Sequence, residues 1–345
     1  MKESKEGISF RIKMMILFVI LLASIPLCAL WGAADLSYME VAKFLISKLI
    51  PSISYEGVPY MNSIVWQLRI PRILLGLAVG GGLSICGVLM QALTKNMLAE
   101  PYILGVSSGA SAMVVFMLAM APNSNLMITL GIPGSAFIGS FVALFLVYTL
   151  SVTNGQSSSN RLLLSGVAVS IILSSLTQFF LMTLPNSNVK NILFWMSGSL
   201  ASGRWDTILI PIITSLVGVI CAIIMAPILN ILSLGDETAA TLGIHVPRMR
   251  KILLILVSLV TGTLVSASGS IGFVGLIIPH IARMLFGADH RKVAISSYLI
   301  GGLFLIWMDV GARVLFAPVD VSIGILTAFC GGPFFIWLMH RKKVR

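Results

Sequence analysis

Twelve carboxylates and four histidines are all that this 345-residue sequence offers for proton transfer, metal ligation or ion coupling. A carboxylate inside an apolar segment is costly unless it has a task, so such acids mark ion pathways. Glu3, Glu6, Asp35, Glu40, Glu56, Glu100, Asp206, Asp236, Glu237, Asp289 and Asp320 lie outside the apolar runs or at their edges. Asp309 alone lies clearly within one, and Arg313 follows it by one helical turn. An ion pair at i,i+4 satisfies both residues and leaves no acidic relay. His245, His280, His290 and His340 are dispersed, and Asp289-His290 reads as a solvated turn in preference to a metal site. No G-x-S-x-G, H-E-x-x-H or G-x-x-x-x-G-K-[ST] occurs, so neither an acyl-transfer elbow, a zinc helix nor a phosphate cradle is expected. Cys28, Cys86, Cys221 and Cys330 lack metal-ligand spacing and read as small buried hydrophobes. Catalytic, cofactor and metal sites are all expected to be absent, and any power for transport must come from another subunit.

Two polar constellations remain. The first is Leu234-Gly235-Asp236-Glu237-Thr238-Ala239-Ala240-Thr241-Leu242-Gly243, with Pro247 beyond it. Acids suit the positive end of a helix, Ala239-Ala240 its body and Gly243 a left-handed C-cap. Spacing leaves two readings of this short helix: a force-transmitting knob or an ordinary loop helix. The second is Ser170, Ser174, Thr177 and Gln178, at i, i+4, i+7 and i+8, one stripe of a helix. Either the stripe lines a pathway, or its hydroxyls bond their own i−4 carbonyls.

These groups must be positioned by membrane helices. The chain is 57% hydrophobic and 10% charged, well above the apolar share of about 45–50% in soluble domains. Lipid cannot satisfy a backbone, so each crossing needs about 20 apolar residues in a helix. Ten segments qualify, near 12–31, 70–92, 103–121, 133–153, 162–183, 207–230, 252–269, 273–287, 293–312 and 321–340. The first is long enough to span and carries no cleavable signal. With the N-terminus inside, the inner side holds Lys2, Lys5, Arg11, Lys13, Lys95, Arg161, Arg248, Arg250, Lys251, Arg283, Arg291, Lys292, Arg341, Lys342, Lys343 and Arg345, 16 of the 23 Lys and Arg. The net charge of +11 is then an orientation signal and not a nucleic-acid footprint. The chain is one transmembrane domain, 1–345, with an outer loop at about 33–64 and an inner loop at about 231–250. Ser37-Tyr38-Met39-Glu40 has capping-box spacing before an amphipathic helix carried by Met39, Val41, Ala42, Leu45 and Leu49. Val189 to Ser202 reads as a stub helix. Gly76/Gly80 and Gly105/Gly109 allow close helix approach, and Gly105–Ala110 and Ser266–Gly272 suggest an inverted repeat.

Ordered motifs carry a resemblance. They are Arg69-Ile70-Pro71-Arg72; Gln91 with Asn96, Leu98-Ala99, Pro101, Leu104-Gly105 and Gly109-Ala110; Leu234-Gly235 with Leu242-Gly243; Gly272-Phe273-Val274-Gly275-Leu276 with Pro279-His280 and Arg283; and Gly324 with Thr327-Ala328 and Pro333. Over nearly its whole length the chain resembles the permease subunits of ABC importers for iron-siderophore, haem and cobalamin, of the type II, vitamin B12 permease-like kind. The resemblance implies an all-α polytopic permease with about ten transmembrane helices and an inverted repeat. It implies a dimer, with a second copy or a paralogue, around a translocation pathway in the inner (cytoplasmic) membrane. Both termini would be cytosolic, with two copies of an ABC ATPase subunit below and an extracytoplasmic substrate-binding protein above. It assigns Leu234, Gly235, Asp236, Glu237, Ala239, Ala240, Leu242 and Gly243 to the ATPase groove. Arg69, Arg72 and Arg313 are assigned to docking of the binding protein, with a structural role in support of it as a further reading for Arg69 and Arg72. Ser170, Ser174, Thr177 and Gln178 are assigned to the pathway. Where the family carries Glu-Leu-Pro before the last span, this chain has Asp320-Val321-Ser322, a departure expected to loosen that outer turn and to alter the acid's contact with Arg313 or the binding protein. An ion-gradient-driven secondary transporter is the alternative, disfavoured by the missing relay.

Overall fold

The computed structural model describes residues 2–32, 34, 36–50, 55, 57–120, 124–153, 156–315, 317 and 319–341. Asp35, Glu56, Lys342, Lys343 and Arg345 lie outside them, as do parts of the outer loop. An apolar chain must close its backbone hydrogen bonds internally, and the regular structure of the described residues is helical apart from a ribbon of two two-residue strands, β1 (Val152–Thr153) with β2 (Gln156–Ser157). The helices are α1 (Lys2–Leu30), α2 (Tyr38–Leu49), α3 (Asn62–Thr94), α4 (Val106–Met120), α5 (Asn125–Ser151) and α6 (Ser159–Leu181). They continue as α7 (Asn186–Met196), α8 (Leu209–Leu232), α9 (Asp236–Thr241), α10 (Val246–Ser268), α11 (Val274–Phe286), α12 (His290–Val314) and α13 (Ile323–Arg341).

All ten expected segments contain helices, but among the described residues eight helices are long and apolar enough to cross a membrane by themselves. The other two, α4 and α11, have 15 and 13 residues, so they rise only about 22 and 20 Å. Each follows irregular backbone: a 3-10 turn at Pro101–Leu104 before α4, and the stretch 269–273 before α11. Both breaks are packed within protein, the condition under which lipid-depth backbone can leave the helix. The start of α3 also differs from expectation, because the helix begins at Asn62 and not near 70. Residues Asn62–Arg69 form a π-helical stretch, with Ile70 N–H bonding the Val65 carbonyl; Pro71 follows inside the continuous helix with no N–H to donate, and the Trp66 carbonyl five residues before it accepts from Trp205 Nε1 at 2.8 Å.

The most apolar window of α3 is 89% buried, making it the central post. Its glycines set the spacing. A Cβ on Gly80 would collide with the Gly301 carbonyl of α12, and one on Gly87 with the Gly275 carbonyl of α11. Gly76 faces Leu200 and Ile306, and Gly109 faces Gly139 of α5, so the expected small-residue pairs pack within the subunit. Helix α2 buries Val41 and Phe44 against Met61 and Val65. Ser37 is its N-cap but makes no side-chain cap bond; the carboxylate of Glu40 instead accepts from the Tyr55 hydroxyl at 3.2 Å. The expected stub helix is α7, shifted toward the N-terminus.

Candidate functional site

At the end expected to face outward, three arginines meet two acids. Arg72 donates from Nε to Asp309 Oδ1 at 2.8 Å and from Nη1 to Asp320 Oδ2 at 3.1 Å. Arg313 Nε lies 3.0 Å from Asp309 Oδ2, the expected i,i+4 pair. The remaining donors go to main-chain carbonyls around the end of α1. Arg313 Nη1 reaches Trp31 O at 2.9 Å, and Arg69 reaches Ala29 O at 2.8 Å, Leu30 O at 3.0 Å and Ala34 O at 3.0 Å. A helix end leaves such carbonyls without intrahelical donors, and cations there oppose the helix dipole favourably. Arg69 and Arg313 are 5% exposed. They staple α1 to α3 and α12. Arg72 is the arginine that reaches the rim, through Asp320.

At the opposite end, α9 is an exposed knob with a built stop. Ile244 N–H bonds Ala239 O at 2.9 Å and Gly243 N–H bonds Ala240 O at 3.0 Å, with Gly243 at φ +84°. That pair of bonds is the Schellman C-cap, in which glycine takes the left-handed conformation without strain. Leu234, Glu237, Ala240, Leu242 and Gly243 are exposed, while Ala239 is buried as the anchor beneath them. Asp236 fixes the start of the knob, 2.7 Å from Lys95 Nζ and 2.7 Å from Arg250 Nη2. Burial alone would raise the Asp236 carboxyl, but the hydrogen-bonded ammonium of Lys95 and the Arg250 guanidinium hold it below its ordinary value.

The stripe of α6 divides between exposed and buried positions. Ser174 and Gln178 are exposed along one face, and Ser174 Oγ donates to Ser108 Oγ of α4 at 3.3 Å. Ser170 lies on the same face, its Oγ next to Gly105. Thr177 is buried and turns its hydroxyl to Leu173 O at 2.8 Å, the back-bonding alternative.

Two expectations are corrected here. Asp289-His290 is not a solvated turn: Asp289 caps α12 by accepting from Arg291 N–H, and His290 is buried with Nδ1 2.7 Å from Asn230 Oδ1. Of the four cysteines, Cys28 and Cys86 are buried, Cys221 is intermediate and Cys330 is exposed.

Sequence reasoning missed the crossing of the two irregular segments. Lys95 stands at φ +53° at the end of α3, and the chain then turns through an Asn96 side-chain bond to Leu98 N–H at 2.9 Å. Glu100 Oε2 accepts from Phe273 N–H at 3.1 Å, and the Tyr102 hydroxyl accepts from Ile271 N–H at 3.1 Å. The hydroxyls of Ser107 and Ser270 share a hydrogen bond, joining the two small-residue segments singled out as a repeat. No periodicity announces such contacts; the one available signal was Glu100 itself, an acid directly before Pro101 at the edge of an apolar run.

Comparison with known proteins follows the same lines. The model of the FecCD transport family matches residues 16–341. The cobalamin import system permease protein BtuC of Halobacterium salinarum is 38% identical over 91% of this chain and 80% of its own length. The Fe(3+)-citrate import system permease protein YfmD of Bacillus subtilis is 34% identical, over 99% of this chain and 98% of its own. A solved inward-facing conformation of a metal-chelate type ABC transporter superposes with a TM-score of 0.81 at 29% identity, covering 95% of this chain and 98% of that one.

Proposed function

The chain belongs to the FecCD transport family, and on that premise we propose that it forms, as a dimer, the translocation pathway of an ATP-driven importer of iron-siderophore, haem or cobalamin. It is a multi-pass transport subunit and not an enzyme, and ATP hydrolysis belongs to a separate ATPase. The observation that carries the reading is α9, an exposed knob clamped by two ion pairs to the ends of α3 and α10. Leu234 and Leu242, 68% and 60% exposed, flank it as apolar contacts for an ATPase groove. A flexible loop would absorb a push from below; a capped, doubly ion-paired one passes it to two long helices.

The outer cluster suits docking of a substrate-binding protein. Arg72, 13% exposed with Nε and Nη1 held by Asp309 and Asp320, reaches the rim beside Asp320 and would have to share its guanidinium with a partner carboxylate, while Arg69 and Arg313 hold the platform. Such exposed pairs supply about 0.2–1 kcal/mol each, so their value is orientation and on-rate. Ser174 and Gln178 give a weakly polar wall that would let a bulky chelate slide without being held, with the buried hydroxyls of Ser170 and Thr177 behind it. The termini would be cytosolic, with a second permease copy or paralogue and the bilayer covering the exposed faces.

The test is uptake of radiolabelled ferric siderophore, haem and cobalamin into proteoliposomes holding this chain, an ATPase subunit and a binding protein. Gly243→Pro runs alongside, since proline cannot adopt the positive φ and removes the N–H that bonds Ala240. One substrate taken up only with ATP, and at least about tenfold slower in the variant, supports the reading; about 1.4 kcal/mol of lost coupling suffices for that. Uptake driven by an ion gradient without the ATPase overturns it.

A further inference from the structure

Glu100 lies in the segment between the inner end of α3 and the start of α4, and nothing in the proposed cycle so far uses it. The segment is anchored at both ends. At its beginning Lys95 is ion-paired to Asp236 of α9. Within it Glu100 and Tyr102, and in the first turn of α4 Ser107, bond residues 273, 271 and 270 of the break between α10 and α11. Asn96 tightens the first part by bonding Leu98 N–H and Ala99 N–H, and Pro101 fixes the backbone directly after Glu100. The result is a short stiff rod from the knob to the break.

The break is where displacement would matter. Phe273 sits at φ +67°, a left-handed conformation that a residue with a side chain holds only when its surroundings impose it. One imposing contact is the Glu100 carboxylate on its N–H. Another is the close packing of the Phe273 ring against Gly331 of α13, where a Cβ would collide with that ring. The same break also holds two further elements: Ser199 N–H bonds Ser268 O at 2.8 Å, and a Cβ on Gly324 at the start of α13 would lie 2.9 Å from Ser270 O. Residues 268–273 therefore touch α4, the turn after α7, and α13, which is mostly exposed.

We infer that Glu100 is a positioning residue for transport: through its bond to Phe273 it converts movement of α9, delivered by Asp236 and Lys95, into movement of the α10–α11 break and of α13 above it. The inference rests on the importer reading for its purpose, but the mechanical link is a property of the chain itself.

The test is amide hydrogen exchange of the full chain in lipid nanodiscs. Glu100→Leu keeps the size and removes the acceptor, whereas Glu100→Gln keeps an acceptor oxygen. Lys95→Gln cuts the rod at its far end while leaving Asp236 paired to Arg250 of α10, and Asp289→Asn perturbs another acid on the same side that the rod does not touch. Exchange over residues 270–276 should rise about fivefold or more in Glu100→Leu and in Lys95→Gln. It should stay within about twofold of wild type in Glu100→Gln and Asp289→Asn. A purely local structural role for Glu100 predicts no change at 270–276 in Lys95→Gln, and that result overturns the inference even where Glu100→Leu fails to fold.

In the reconstituted transporter, substrate moved per ATP hydrolysed should fall about tenfold in Glu100→Leu and recover in Glu100→Gln. An unchanged ratio in Glu100→Leu also overturns the inference. A wild-type complex without ATP-driven uptake instead defeats the importer reading, and the exchange experiment still decides the rod.

Discussion

At Asp309 one carboxylate, 1% exposed, stands between the guanidiniums of Arg72 and Arg313. Removing its charge leaves two buried cations with backbone carbonyls and a half-exposed Asp320 for company, so Asp309→Asn should cost about 3–5 kcal/mol. Asp320→Asn, at a side chain 36% exposed, should cost under about 1 kcal/mol. Denaturant unfolding in detergent micelles measures both, and similar losses would refute the central place given to Asp309. The i,i+4 half of this cluster was legible from sequence because helical spacing alone brings Asp309 to Arg313. Arg72 approaches from 237 residues away, a separation that carries no periodic signal. Asp236 supplies a pH prediction of definite sign. Its carboxyl is depressed below the ordinary 3.8 by Lys95 and Arg250, so the stabilisation is fully present above that unfolded value and is lost as pH falls through the depressed one. Proteolytic cleavage of residues 236–243 should therefore be flat from pH 8 to about 5 and accelerate only below about pH 4.

At the scale of elements, α11 is held to α3 by backbone approach. Gly87→Ala drives a Cβ into the Gly275 carbonyl, and neither backbone can yield without parting the helices. The expected loss is about 1–3 kcal/mol or more. Gly332→Ala, where an added Cβ meets no atom within 4 Å, should stay within about 0.5 kcal/mol. Thermal unfolding of the two variants in one detergent makes the comparison, and equal effects would remove the close-approach argument. Helix positions were legible in outline because an apolar run of sufficient length has no other way to satisfy its backbone. The breaks at 101–105 and 269–273 were not. Residues on both sides of them remain apolar, and what permits the break is a set of distant acceptors, Glu100 and the Tyr102 hydroxyl, that hydropathy cannot place. The π-helical start of α3 was hidden for a related reason: Pro71 reads as a helix start, while tertiary packing of Val65 under α2 extends the helix upstream.

Across the whole molecule, burial is uneven in a way that has consequences. The most apolar window of α3 is 89% buried, but those of α6 and α13 are 22%. Each of those two is long enough to cross a membrane, and each leaves most of its surface for lipid or for another copy of the chain. The face of α6 left open carries Ser174 and Gln178 among large apolar residues, which suits an interface with a pathway better than hydrocarbon alone. Orientation decides whether that pathway runs inward. The outer and inner assignments rest on the distribution of Lys and Arg, and they place the arginine cluster outside and α9 inside. In a variant with all four cysteines replaced, Asp206→Cys and Arg248→Cys put thiols on opposite ends of the bundle, both at exposed positions. A membrane-impermeant maleimide should label Asp206→Cys in intact spheroplasts and Arg248→Cys only after permeabilisation. The reverse pattern would turn the molecule over, setting the exposed knob of α9 on the side without ATP and removing the basis for an ATP-driven importer.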